Sequence, residues 1–215
     1  CAEGGGLDPA SESGRAVLSW MIAHARHAAG DAPPNAVIIG AVPLDAPDER
    51  AEALRSLGAG AVTSLVVTRD NADSSEARDA LASAHLVLIR GGDQGRYVSG
   101  WRGTATEDGI RAVFERGGVI AGTSAGCAVL GDWTYDALKD SLKPRQILAD
   151  AAHENLSLTH GFLALVPGVL FDTHFGERGR LARLPVMLAH VRDRAAPGSP
   201  PVLGIGLDGR TALGV

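Results

Sequence analysis

The chain has 215 residues, of which 45% are apolar and 4% aromatic, with a net charge of -5 and only two cysteines. That length supports one α/β domain, residues 1–215, with a sizeable core. The mild negative charge argues against a nucleic-acid partner. No apolar run is long enough to span a bilayer, and Cys1 and Cys127 make no disulfide framework.

Cys1-Ala2 reads as the tail of a first strand, and Gly4-Gly5-Gly6 as the turn after it. A mature lipoprotein also begins with cysteine, so a lipid-anchored or exported form stands beside the favoured cytoplasmic one. Apolar groups at Val17, Trp20, Met21, His24 and Ala28 have helical spacing and predict a helix over 13–29 that Gly30 ends. Val37-Ile38-Ile39 reads as a strand buried on both faces. Pro47 suits a first helical turn, and the helix runs through Ala53, Leu54 and Leu57 to Gly58. A strand at 62–67 and a short acidic helix at about 74–82 follow. His85 to Ile89 is another strand, ending in Gly91-Gly92-Asp93-Gln94-Gly95. A helix at about 107–115 closes at Gly117.

Residues 117–132 read GGVIAGTSAGCAVLGD. The apolar run Val119-Ile120-Ala121 enters Gly122-Thr123-Ser124-Ala125-Gly126, a G-x-S-x-G pattern between strand and helix. Such a turn lifts one serine out of the sheet, and its glycines let the chain fold back without a Cβ clash. The rival reading is a serine that merely caps the helix. Residues 133–159 read as polar and irregular. Pro167 to Phe171 is a strand ending at Asp172-Thr173-His174. Leu181, Leu184, Leu188 and Val191 form a helical stripe, with Pro185 marking a kink or a late start. Residues 202–207 and 211–215 read as a closing hairpin.

Strands alternate with helices, so the expected fold is α/β: a three-layer, mostly parallel sheet with helices on both faces. Sites in such sheets lie beyond the carboxyl ends of the strands. Three chemical segments follow predicted strands there: Gly91 to Gln94, Ser124, and Asp172 to His174. A serine hydroxyl needs a base, and histidine is the usual one. Of seven histidines, His174 alone directly follows a strand on that edge. His24, His27 and His190 lie on helical patterns, His85 starts a strand at the opposite end, and His153 and His160 are weaker alternatives. The backbone N–H groups of Ala125 and Gly92 can complete an oxyanion hole. For the orienting carboxylate, Asp132, Asp136 and Asp140 are near, with Asp150 and Glu154 further on. Arg178, Arg180 and Arg183 suit carboxylate recognition or salt bridges on a solvated helix face. No Cys/His cluster has metal-ligand spacing.

Gly-Gly-Asp-Gln at 91–94, the segment 117–126, and Asp-Thr-His-Phe followed by Arg178, Arg180 and Arg183 resemble the cyanophycinase-like serine peptidases, relatives of the aspartyl dipeptidases (peptidase E). Gly204 to Asp208 followed by Thr211-Ala212 is similar to that family's closing strand motif. The likeness runs from the Gly4-Gly5-Gly6 turn to the last residue. It implies a class I glutamine amidotransferase-like, flavodoxin-like fold. It also implies a hydrolase with Ser124 as nucleophile and His174 as base, and no metal or organic cofactor. Cyanophycinases release β-aspartyl-arginine dipeptides from cyanophycin.

Asp93, Gln94, Asp172, Thr173, Arg178, Arg180 and Arg183 are the expected substrate-binding positions. The stretch 133–138 resembles a divergent branch in which an acid near Asp136 is expected, so Asp136 is taken as the triad acid, ahead of Asp140 and Asp132. Two positions depart from the family: Thr173 replaces a frequent glutamine, and Leu207-Asp208-Gly209 replaces Ile-Asp-Glu. The expected activity is hydrolysis of β-aspartyl or small acidic peptide bonds. The expected partner is a peptide or cyanophycin-like substrate, and a homodimer is compatible with the sequence. The alternative is a non-catalytic binding protein on the same fold, to be distinguished by a His174 without a nearby carboxylate and without an approach to Ser124.

Overall fold

Short, almost wholly buried apolar segments build the centre of the main sheet in this computed structural model, which describes residues 1–46 and 48–215. They are β2 (Ala36–Gly40), β4 (Leu86–Ile89) and β5 (Val119–Thr123). With β1 (Ala2–Glu3), β3 (Val62–Val66) and β10 (Ala212–Leu213) they form a six-stranded sheet in the order β10-β1-β5-β4-β2-β3. Among the described residues of this sheet the β1–β10 pairing is antiparallel and the others are parallel.

Alternate strand residues face opposite sides, and the core divides accordingly. Ile38, Leu86 and Leu88 pack on Leu18, Met21 and Ile22 of α1 (Glu12–Ala29) and Leu54 of α2 (Glu49–Ser56). Val37, Ile39, Val87 and Ile89 face the other way. They meet Leu81 of α3 (Ser75–Ser83), Trp101 of α4 (Gln94–Trp101) and Ile110 and Val113 of α5 (Ala105–Glu115). Ser11 and Ser74 cap α1 and α3 by accepting from the N–H of Gly14 and Ala77. The expected helix start at Pro47 lies outside the described residues.

Three points differ from the sequence reading, and one choice it left open is decided. Residues 94–101 are helical, although Gly95 and Gly100 lower the propensity. The local signal was Asp93, whose carboxylate caps α4 by accepting from Gly95 N–H at 2.8 Å. The stretch read as irregular contains β6 (Gly131–Tyr135), α7 (Pro144–Ala149) and β7 (Leu158–His160). These strands join β8 (Val166–Thr173) and β9 (Leu203–Leu207) in a second sheet, ordered β7-β6-β8-β9. The closing segments are not a hairpin: β9 pairs in parallel with β8, while β10 crosses to β1. The 4–6 turn wedges between them, with Gly4 N–H donating to Thr211 O and Arg210 N–H to Gly5 O. Finally, Pro185 lies in the first turn of α8 (Arg183–Arg194), where it costs no helix hydrogen bond, so it marks a late start.

The second sheet is covered by α7 and α8 through Ile147, Leu184, Met187 and Val191. Val169 and Phe171 of β8 belong to the same cluster as Ile120 and Ile89, so the core runs on between the two sheets.

Candidate active site

The last residue of β5 is Thr123, and α6 (Ala125–Ala128) starts two residues later. So abrupt a reversal requires the strand and helix backbones to touch. A Cβ on Gly122 would lie 2.2 Å from Gly126 O, and one on Gly126 would lie 2.2 Å from Ile89 O. The residue between them, Ser124, takes φ 52 and ψ -115, a strained conformation for a side chain with a Cβ. Its N–H donates to Glu3 O at 3.0 Å, fixing the elbow to β1. The hydroxyl makes no capping bond to the helix. It lies instead 2.8 Å from His174 Nε2, which disposes of the reading of Ser124 as a mere cap.

His174 leaves β8 with φ 49, and its N–H donates to Gly4 O at 3.0 Å. The imidazole lies on Gly5, where a Cβ would come 2.5 Å from both Cε1 and Nε2. The triple-glycine turn thus brings bare backbone beneath the ring. Nδ1 stands 3.0 Å from Glu177 Oε1. An ionised carboxylate only accepts, so this contact assigns the proton to Nδ1 and leaves Nε2 to accept from the serine hydroxyl. Glu177 Oε2 accepts from Gly209 N–H at 2.9 Å. That bond, then one from the N–H of Glu177 itself, and then His174 hold the Glu177 carboxyl down at about 2.

The carboxylate beside His174 is therefore not Asp136. Asp136 is buried at the end of β6 and accepts from Leu138 N–H, Ser157 Oγ and Thr159 Oγ1, which ties β6 to β7. Neither alternative takes the place. Asp132 faces His160 at 3.2 Å, and Asp140 accepts from Ser141 N–H at 2.6 Å. Glu177 was missed because its reach to Nδ1 depends on a loop folded against residues 208–209. The available signal was a glutamate three positions after the histidine together with a glycine where the resembled family carries an acid.

A polar cavity of about 360 Å³ opens beside Ser124. Gly92, Asp93, Gln94 and Ala125 line one side, and Tyr135, Asp140, Asp172, Thr173, Arg178, Arg180 and Arg183 lie on others. Two larger hollows, beside α8 and between α2 and β3, hold none of these groups, while one of about 420 Å³ reaches Ser124 from the side of Gly6, Arg90 and Gly91. Among the described residues, neither the Gly92 nor the Ala125 N–H has an acceptor. The expected pocket residues do different things. Asp93 spends one oxygen on the α4 cap, and Gln94 Nε2 donates to Tyr135 O at 3.3 Å. Asp172 is buried and accepts from Arg183 Nε at 2.8 Å, from Arg180 Nη1 at 3.3 Å and from Thr173 N–H at 2.9 Å. Arg183 also donates to Leu142 O and lies over the Tyr135 ring. Arg180 donates to Thr173 O, and burial, then Arg183, push its guanidinium down to about 10. Arg178 is exposed and has no side-chain partner among the described residues, which leaves it the free cation of the cavity.

The remaining histidines serve elsewhere; His153 Nδ1, for instance, accepts from Asn155 N–H. Cys127, buried in α6, has its thiol pushed up by burial and is inert at neutral pH. Among the described residues, no group of three His, Cys, Asp or Glu side chains is placed to hold a metal ion. Among the described residues, no helix is long and apolar enough to cross a membrane.

Comparison with known proteins gives the same direction. The model of peptidase family S51 matches residues 47–213. The cyanophycinase of Trichormus variabilis is 34% identical over 142 residues, covering 65% of this chain and 42% of that protein. The cyanophycinase of Synechococcus elongatus is 32% identical over 157 residues, covering 72% and 44%. The chain thus spans less than half the length of these relatives. Among solved structures, a peptidase from an acI-B1 Actinobacterium superposes with a TM-score of 0.62 at 20% identity, over 95% of this chain and 78% of that one. A putative peptidase E protein from Listeria monocytogenes gives 0.52 at 16%, over 87% and 86%. At those identities the likeness is one of fold.

Proposed function

The chain belongs to peptidase family S51, and from that membership we propose that it is a serine peptidase in which Ser124, His174 and Glu177 act as nucleophile, base and orienting acid. The observation that carries this reading is the unbroken relay from Ser124 Oγ through His174 to Glu177, with contacts of 2.8 and 3.0 Å. In this scheme Ser124 Oγ attacks the scissile carbonyl as Nε2 takes its proton. The imidazolium that forms is stabilised by Glu177, which stays ionised throughout. Negative charge on the carbonyl oxygen develops between the free N–H groups of Ala125 and Gly92. Collapse of the tetrahedral intermediate leaves an acyl-Ser124 ester, and the amine departs with the proton from Nε2. Water activated by the same nitrogen then releases the acid.

The substrate class follows from the cavity. Arg178 is an uncommitted cation beside the nucleophile, while Arg180 and Arg183 are tied to Asp172. An acidic group next to the scissile bond fits that arrangement, so β-aspartyl or small acidic peptides are the proposed substrates, cyanophycin-like material among them. The carboxylate beside His174 and its approach to Ser124 favour this reading over a non-catalytic binding protein on the same fold. Replacing Ser124 by Ala should abolish covalent labelling by a fluorophosphonate and hydrolysis of β-aspartyl dipeptides. Labelling that persists at another residue would show that the nucleophile is misassigned.

A further inference from the structure

The geometry points to Gly209 as a positioning residue: its missing side chain leaves the space in which Glu177 holds His174. The inference rests on the reading of Ser124 and His174 as nucleophile and base. Three observations support it. An ideal Cβ at 209 would lie 2.2 Å from Glu177 Oε1, the oxygen that faces His174 Nδ1. Gly209 does not have a positive φ, so its backbone conformation is open to any residue, and the requirement for glycine is one of space. The loop carrying Glu177 is fastened to this turn at two points. Gly209 N–H donates to Glu177 Oε2 at 2.9 Å, and Gly176 N–H donates to Asp208 Oδ1 at 2.6 Å.

The consequence is an exclusive choice. A side chain at residue 209 would begin 2.2 Å from Glu177 Oε1, so the carboxylate would have to swing away from His174 to make room. The orienting acid can come from the loop after β8 or from the turn after β9, but not from both. Gly209 and Glu177 therefore form a coupled pair, and an acid placed at 209 should take over once Glu177 is shortened.

The test compares wild type with Gly209→Ala, Glu177→Ala, both together, and Glu177→Ala with Gly209→Glu. The second-order rate of Ser124 labelling by a fluorophosphonate is measured across pH. An NMR titration of the Glu177 carboxyl carbon is run on the variants that keep this residue. Glu177→Ala should slow labelling by up to about 10⁴-fold, the loss seen when a triad acid is replaced. Gly209→Ala should slow it at least about tenfold, a loss worth about 1.4 kcal/mol of transition-state stabilisation. The Ala–Ala pair should be no slower than Glu177→Ala alone, because the same contact cannot be lost twice. The pair with Gly209→Glu should recover at least about tenfold of the loss. In Gly209→Ala the carboxyl midpoint should rise from about 2 toward the ordinary 4.5.

Multiplicative losses in the Ala–Ala pair, or wild-type labelling in Gly209→Ala, would overturn the inference. A wild-type protein that does not label at all sinks the peptidase reading alone. The carboxyl titration then still decides the role of Gly209, since an unmoved midpoint rejects it.

Discussion

Asp136 and Glu177 are both carboxylates held by hydrogen bonds, and they differ in what they hold in return. Asp136 receives two hydroxyls and a backbone N–H, all from its own end of the second sheet. Glu177 receives a backbone N–H on one oxygen and presents the other to an imidazole. Asp136→Asn should therefore leave fluorophosphonate labelling within a few-fold of wild type and lower stability by about 1–2 kcal/mol. Glu177→Gln should reverse that pattern, with labelling reduced by about 10²-fold or more.

The pH dependence has a definite sign. The folded Glu177 carboxyl titrates at about 2, below its ordinary 4.5. Its ionised form favours the folded state, fully above the ordinary value and progressively less as pH falls toward 2. The urea midpoints of wild type and Glu177→Gln should differ most above about pH 5 and converge near pH 2. A constant offset across that range would show that the carboxylate charge plays no part. Ser124 and His174 were legible because each sits at the end of its own strand in a local pattern. The carboxylate that meets His174 was not, because its place is fixed by residues 208–209, more than thirty positions along the chain.

Elements that carry their own signal came through the sequence cleanly. The buried strands β2, β4 and β5 read as apolar runs, and α1 and α3 have serine caps with helical spacing behind them. The second sheet was largely hidden because β6 and β7 are short and partly polar, and are tied together by polar groups such as Asp136, just past β6, and Thr159 of β7. The closing hairpin was a fair local reading that lost to long-range pairing: β9 and β10 each found a different neighbour. The G-x-S-x-G turn belongs to this scale too, since its glycines are contact points between elements. Gly126→Ala would put a methyl carbon against Ile89 O, a backbone atom of a central strand. Neither partner can swing away, so the cost should reach or exceed the ~1–3 kcal/mol of an overpacked core. Thermal or urea unfolding measures it. A Gly126→Ala protein of wild-type stability would mean that α6 can lift off β4 freely.

Across the whole molecule, the two sheets share one core, and the site forms where β5 of one and β8 of the other end side by side. Arg183 and Asp172 fasten this junction. Arg183 begins α8, Asp172 lies on β8, and the guanidinium also reaches Leu142 O and the face of Tyr135. Both side chains are 2% exposed, so their charges are nearly fully removed from water. Breaking such a pair leaves one charge buried without compensation, which outweighs the modest net value of the intact pair. Arg183→Met should destabilise the protein by about 3 kcal/mol, toward the lower end of the range for buried pairs, because Arg180 still faces Asp172. Arg183→Lys should recover little, since one ammonium cannot reproduce a fork that spans Asp172 and Leu142 O. Adding Asp172→Asn to Arg183→Met should return part of the loss by removing the stranded charge. Urea unfolding of the three variants at neutral pH gives these differences directly. If Arg183→Met were as stable as wild type while losing hydrolysis, Arg183 would be a substrate ligand first. A loss of stability that Asp172→Asn partly restores marks the pair as the fastening that holds the second sheet, and with it His174, against the elbow.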